Sequence, residues 1–278
     1  MIQDIEPYSY NNAYKPEAPD KESFIIYCHG MEVLIKQEGE QITFPTVQEM
    51  EEKNPNLYEQ YTYLFSIDQM RFYLVEHLNY SEADKFRMIH KEEFRHVKPR
   101  HLAFAGITGF QLYNWYTGRK FCGRCGKLLK KDEKERMLYC EHCHQMEYPK
   151  ISPAVIVGVI DGNRILMSKY ADRDYKKYAL LAGFAEIGET IEETIKREVM
   201  EEVGLKVKNI RFYKSQPWSF TDTLLFGFFA DLDGDSEITL DREELALAEW
   251  FEREEIPVTE RNISLTNEMI LAFKNSEI

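Results

Sequence analysis

Between Thr190 and Gly204 the apolar residues Ile191, Ile195, Val199 and Val203 recur at four-residue steps, which predicts an amphipathic helix with one face on a core. Thr190 and Glu193 have the spacing of a capping box and Gly204 suits a stop, so the helix is expected from about Ile191 to Val203. Residues up to Pro19 are polar and read as an extended lead. From Ser23 to Leu78, short apolar runs such as 24–28 and 73–75 alternate with polar turns, the pattern of an antiparallel β region, with a short helix near Val47 to Lys53. Apolar residues at three- and four-residue steps predict a helix from Arg100 to Tyr116, against the propensity of its two glycines. Further on, Ser152 to Ile160 reads as a buried strand turning at Asp161-Gly162-Asn163 into Arg164 to Ser168. Later strands are expected at 178–182, 212–215, 224–231 and 248–251, and a last helix at Leu265 to Lys274. The pattern is α+β in its first part and an α/β sandwich in its second.

On the predicted helix at 191–203, Glu198, Glu201 and Glu202 share one edge. Glu198 stands three and four residues from the other two, spacings at which like charges repel by about 0.2–0.5 kcal/mol per pair. A cation is expected to relieve that repulsion. Carboxylates at this density suit a hard ion such as Mg2+ or Mn2+, which favours substrates carrying phosphate. Glu193, Arg197 and Glu201 follow at four-residue steps, so the arginine is expected to pair with both neighbours. The plainer reading of such a helix is a solvated acidic face.

Cys122 and Cys125 form one Cys-x-x-Cys pair, and Cys140 and Cys143 another, fourteen residues on. That spacing suits a structural Zn2+ in a ribbon, where four thiolates leave no open position for catalysis. Two disulfides are the alternative and would need an oxidising compartment. His142 and His144 are read as bystanders, and Cys28 as a buried apolar residue.

The chain has 278 residues, enough for two modest domains, and a formal charge of −13, which argues against a general nucleic-acid-binding surface. Its amino terminus lacks the basic and apolar regions of a secretory signal, and no apolar run has the length of a membrane span. A cytoplasmic protein is expected.

The stretch from Gly183 to Leu205 fits Gly-x5-Glu-x7-Arg-Glu-apolar-x-Glu-Glu-x-Gly-apolar at every specified position and resembles the Nudix box. The resemblance implies a Nudix α/β/α sandwich at 149–278, preceded by a β-rich domain with a closing helix at 1–117 and a zinc ribbon at 118–148. It also implies hydrolysis of a nucleoside diphosphate linked to another group. Glu198 and Glu202 would be the principal metal ligands, with Glu201 as ligand or base. A ribbon before the box, and Ser215-Gln-Pro-Trp-Ser-Phe-Thr-Asp-Thr223 after it, are similar to the NADH pyrophosphatase branch. There the array reads Ser-Gln-Pro-Trp-Pro-Phe-Pro-x-Ser, so this chain departs at Ser219, Thr221 and Thr223, and the two lost prolines are expected to loosen the loop.

Enzymes of that branch split NADH or NAD into a nicotinamide mononucleotide and AMP, and some remove NAD caps from RNA ends. Carried over position by position, the resemblance makes the Ala182 carbonyl and Glu244 further metal ligands and gives Phe184 a base to stack on. Glu135, Tyr148, Gln216, Pro217, Trp218, Ser219, Phe220, Thr221, Asp222, Thr223 and Thr266 would line the substrate pocket. Phe184 and Trp218 could instead be core aromatics, and Glu135 and Glu244 members of solvated charged runs. The resemblance implies a homodimer acting on a dinucleotide. The alternatives are an enzyme acting mainly on the 5′ end of NAD-capped RNA, or a non-catalytic zinc-ribbon nucleotide sensor.

Overall fold

The computed structural model describes residues 1–81, 85–171, 177–258, 260 and 262–278. The chain gathers into two units: Ile2–Lys150 with Ser219–Asp222, and Met1 with Ile151–Trp218 and Thr223–Ile278.

The first unit is rich in strands. In chain order it has β1 (Tyr10–Asn11), β2 (Phe24–Ile26), β3 (Cys28–His29), β4 (Glu32–Glu38), β5 (Gln41–Thr43), helix α1 (Val47–Met50), β6 (Thr62–Ile67), β7 (Met70–Leu74), β8 (Phe86–His90), a 3-10 turn (Lys91–Arg95) and helix α2 (Arg100–Gly118). One sheet has the order β1-β6-β7-β2; in the other, β4 pairs with β3, β5 and β8. The apolar run at 24–28 does not form one strand. It divides at Tyr27, so that β2 joins the first sheet and β3 the second. Nor is the region wholly antiparallel, because β2 pairs with β7 in parallel. A parallel pair needs a long crossover rather than a hairpin, and the 43 residues between Ile26 and Met70 supply it.

Helix α1 ends at Met50, short of the expected Lys53. The buried Asn54 side chain donates to the Met50 carbonyl at 2.9 Å and closes the turn. Helix α2 forms despite its glycines because packing requires them. A Cβ on Gly106 would lie 2.3 Å from the Phe94 ring, and one on Gly109 would lie 3.1 Å from Ile26. Three short antiparallel strands follow, β9 (Lys130–Lys131), β10 (Leu138–Tyr139) and β11 (Met146–Glu147), and make the ribbon that carries the cysteines.

The second unit is built on β12 (Ser152–Asp161), β13 (Arg164–Tyr170), β14 (Leu181–Phe184), helix α3 (Ile191–Val203), β15 (Val207–Trp218), β16 (Thr223–Leu232), β17 (Leu245–Glu252) and helix α4 (Leu265–Lys274). Its mixed sheet has the order β15-β16-β12-β13-β17, with β14 also on β12. Alternation along β12 places the two helices on opposite faces. Val155, Val157 and Val159 pack with Ile195, Val199 and Val203 of α3, whereas Ile156 packs with Leu265, Met269 and Phe273 of α4. The result is an α/β/α sandwich. Fully burying a side chain such as Val199 contributes about 1.5–3 kcal/mol.

Strand β15 is three times as long as the sequence pattern indicates. It lies at the sheet edge with mostly exposed side chains and two register shifts, so polar residues hide it. The strand expected at 178–182 forms as β14, displaced forward because its pairing with Ala154–Val157 runs on to Phe184. That displacement puts strand geometry into the first residues of the glycine-glutamate motif.

Candidate active site and metal centre

Helix α3 begins and ends where its sequence directs. Thr190 Oγ1 accepts from the Glu193 N–H at 3.2 Å, Glu193 Oε2 accepts from the Thr190 N–H at 2.8 Å, and Gly204 closes the helix in the left-handed region at φ 71°. This capping box engages the Glu193 carboxylate, and the expected ion pair with Arg197 does not form. Arg197 reaches back to Glu189 instead, with Nε 2.6 Å from Oε1 and Nη2 2.9 Å from Oε2. The same guanidinium donates to Glu198 Oε1 at 2.7 Å, Glu201 Oε2 at 3.0 Å and the Phe184 carbonyl at 2.9 Å. One planar fork therefore joins the loop to two of the three helix acids. Glu189 and Arg197 are eight residues apart and lie across a loop, so no helical spacing reveals the pair. The Arg197 guanidinium, with the Glu186 N–H second, holds Glu189 down at about 2.

The three acids do not share one environment. Glu198 and Glu202 are 8% and 2% exposed and continue the line of buried Thr194 at four-residue steps, while the Glu201 side chain is 60% exposed. Gly183 makes room for Glu198: a Cβ at that position would stand 1.9 Å from the carboxylate carbon. The Glu198 carboxylate thus lies against the backbone of β14 at Gly183. Burial pushes Glu198 above the usual carboxylate range, Arg197 opposes that shift, and the charges of Glu201 and Glu244 add to it. Glu244, forty-two residues beyond Glu202 in the chain, acts electrostatically on the same carboxylate. Carboxylates gathered along one edge of α3 are hard-oxygen donors, which fit a divalent cation such as Mg2+ or Mn2+.

Phe184 is 55% exposed beside this helix, not a core residue. Gln216 is fully buried, and its amide ties β15 to the start of α4, donating to the Ile263 carbonyl at 2.8 Å and accepting from the Leu265 N–H at 2.7 Å. A side chain expected to meet a ligand is therefore engaged in the fold. Thr266 is half-buried on the first turn of α4. Pro217 is exposed, Trp218 half-buried and Thr223 buried, and the last two pair across the sheet to close a hairpin.

The tip of that hairpin, Ser219–Asp222, belongs to the first unit. Ser219 and Phe220 are buried, Thr221 is exposed, and Asp222 adopts φ 56°. Elsewhere in this unit Tyr148 donates to Glu135 Oε2 at 2.9 Å, so two residues expected to face a substrate are joined on the surface of the ribbon. The hydrogen bond to Glu135 raises the Tyr148 hydroxyl above its ordinary range.

The four ribbon cysteines are unlinked, with Sγ atoms within 4.8 Å of one another. Cys122 and Cys143 Sγ are 3.5 Å apart and Cys125 and Cys140 Sγ are 3.4 Å apart, too far for disulfides and near the roughly 3.8 Å edge of a tetrahedron with 2.3 Å metal–sulfur bonds. Among the described residues this is the His, Cys, Asp and Glu group whose ligand atoms already converge. Two matching knuckles hold it. The Cys122 N–H donates to the Lys127 carbonyl at 2.7 Å and the Cys140 N–H to the Gln145 carbonyl at 2.9 Å. Gly126 at φ 73° and His144 at φ 58° occupy equivalent positions in the two turns. Backbone N–H groups led by those of Arg124 and Cys143 lower the thiols of Cys122 and Cys140, the latter to about 6.

Residues 150–270 match the NUDIX domain family. Over these residues the carboxy-terminal part of this chain is similar to Nudix domains. The chain is 40% identical over 150 residues to the NAD-capped RNA hydrolase NudC of Klebsiella pneumoniae, which is 54% of this chain and 58% of that protein. It is 42% identical over the same length to the protein of that name from Erwinia tasmaniensis, covering 57% of it. The match thus spans a little over half the length of these relatives. A NUDIX hydrolase structure from Nitrosomonas europaea superposes with a TM-score of 0.49 at 25% identity, covering 57% of this chain and 92% of that one. Among the described residues no helix is long and apolar enough to cross a membrane.

Proposed function

We propose that this chain hydrolyses the diphosphate bond of NADH or NAD. Water adds to one phosphorus, the bridging oxygen leaves with the other, and a nicotinamide mononucleotide and AMP result. The observation that carries this reading is the pair Glu198 and Glu202: two carboxylates one helical turn apart, both buried, one of them seated on the glycine backbone of β14. Buried like charges are costly without a counter-charge, and hard oxygen donors select Mg2+ or Mn2+. Such an ion, when bound, would neutralise charge on the phosphoryl oxygens and acidify the attacking water.

Glu198, Glu202, the Ala182 carbonyl and Glu244 would hold the ion. Exposed Glu201, oriented by Arg197, would be a further ligand or the base. The Phe184 face would stack on a base of the dinucleotide. Glu135, Tyr148, Thr266 and residues 217–223 would complete the pocket, with Gln216 supporting it from within. Cys122, Cys125, Cys140 and Cys143 would bind a structural Zn2+. Thiolate ligation fits a reducing, cytoplasmic setting. The reading further takes 1–117, 118–148 and 149–278 as the domains and the working form as a homodimer.

A second reading, supported by the names of the similar proteins, is removal of NAD caps from RNA. The acidic charge of the chain speaks against long RNA tracks, but a cap requires only the first nucleotides to be held. The deciding experiment puts NADH, NAD, ADP-ribose and an NAD-capped RNA in competition in one tube with Mg2+ or Mn2+, with products separated by chromatography. Reduced nicotinamide mononucleotide and AMP appearing first is the expected result. Faster cap loss would move the role to RNA. Undiminished turnover by Glu202→Gln would overturn the metal assignment.

A further inference from the structure

We infer that Lys91 and Arg95 are positioning residues for the Gln216–Thr223 array, an inference that rests on reading that array as part of the substrate pocket. Both lie on the 3-10 turn that follows β8, and both meet the hairpin tip inside the first unit. Lys91 has a side chain only 12% exposed, and its ammonium donates to the Phe220 carbonyl. The Arg95 guanidinium carbon lies 4.1 Å from the centre of the Phe220 ring, well within the range of a cation–π contact. Glu92 holds Arg95 in that pose, with its Oε2 2.5 Å from Nε. Phe220 itself is 2% exposed.

The charges of Lys150 and Lys91 also act on Asp222, whose φ of 56° is one that aspartate tolerates better than most residues. The tip is thus gripped at a carbonyl and a ring. Two positions of this tip, Ser219 and Thr221, hold prolines in the NADH pyrophosphatase pattern. Proline restricts a loop through its own ring, in the unfolded as in the folded chain. Here the restraint comes from side chains distant in sequence. This assigns the amino-terminal turn a role in holding the array and supplies a restraint where the prolines are absent.

The test is the double variant Lys91→Met with Arg95→Met, alongside Arg95→Lys, which keeps the cation over the ring. Amide hydrogen exchange of residues 219–223 is read together with KM and kcat for NADH and with Tm. The double variant is expected to exchange faster at 219–223 and to raise KM about tenfold, the loss of roughly one charged hydrogen bond, with kcat changed less than about twofold. Arg95→Lys should lie near the parent. Adding Ser219→Pro and Thr221→Pro to the double variant should bring KM back, which a general loss of folding would not allow. Unchanged exchange at 219–223 would overturn the grip whatever the enzyme hydrolyses. Faster exchange with unchanged KM for every dinucleotide would overturn the positioning role by removing the array from the pocket.

Discussion

At the scale of single residues, the site depends on one missing side chain. Gly183 leaves the space in which the Glu198 carboxylate rests, and the nearest atoms are that carboxylate itself, 1.9–2.2 Å from where a Cβ would be. Gly183→Ala must therefore displace Glu198, and misplacement of a catalytic group by about 1 Å costs on the order of 100-fold in rate. Hydrolysis of NADH should fall by at least about that factor in kcat while Tm moves little, since α3 keeps its apolar contacts. Equal rates in the two proteins would show that Glu198 need not sit on β14.

Glu189 makes a second prediction at this scale. Its carboxyl drops from 4.5 to about 2 on folding, chiefly through Arg197. A depressed folded value means that its stabilisation is complete above about pH 4.5 and disappears as the pH falls towards 2. Glu189→Gln should lower Tm at neutral pH and flatten the fall of Tm between pH 4.5 and 2. A parallel displacement of the whole curve would point to lost packing.

At the scale of elements, α2 and α3 show opposite relations between propensity and structure. In α3 the cap, the stripe and the stop agree, so its observed bounds equal the expected ones. In α2 the interior Gly106 and Gly109 argue against a helix, and the helix forms with Phe94 and Ile26 pressed on its backbone where side chains would stand. Gly106→Ala isolates the effect. Propensity alone would favour alanine by about 1 kcal/mol, but a Cβ 2.3 Å from the Phe94 ring overpacks the core by about 1–3 kcal/mol. Chemical denaturation should show a less stable first unit, and a gain in stability would mean that Phe94 yields without cost. Strand β15 illustrates the reverse difficulty: an edge strand buries few side chains, so its twelve residues leave little periodic trace.

At the scale of the whole molecule the chain carries two donor sets of different chemistry, soft thiolates in the ribbon and hard carboxylates on α3. They should separate under metal removal. Brief chelation of Mg2+ or Mn2+ should abolish hydrolysis, leave Tm nearly unchanged and reverse on adding the ion. Removal of zinc should lower Tm and release the ribbon, because binding to four thiolates contributes about 10–16 kcal/mol of coupled folding free energy in small zinc domains. Metal analysis of the purified chain should find one zinc, lost in Cys125→Ser. Retention of one zinc by that variant would place the ion elsewhere.

Local rules were sufficient for the box helix, the final helix, the hairpin at Gly162 and the cysteine knuckles. Each is specified by neighbours within a few residues, through caps, turn residues and short ligand spacings. Tertiary structure alone decided that Arg197 pairs with Glu189 instead of Glu193, because Glu193 is already engaged at the cap. It decided that Gln216 is buried, that β2 runs parallel to β7, and that Lys91 and Arg95 reach a hairpin more than a hundred residues away. These pairings join residues with no fixed spacing in the chain. What selects them is which side chains packing leaves within hydrogen-bond or cation–π reach, and a one-dimensional pattern does not contain that distance.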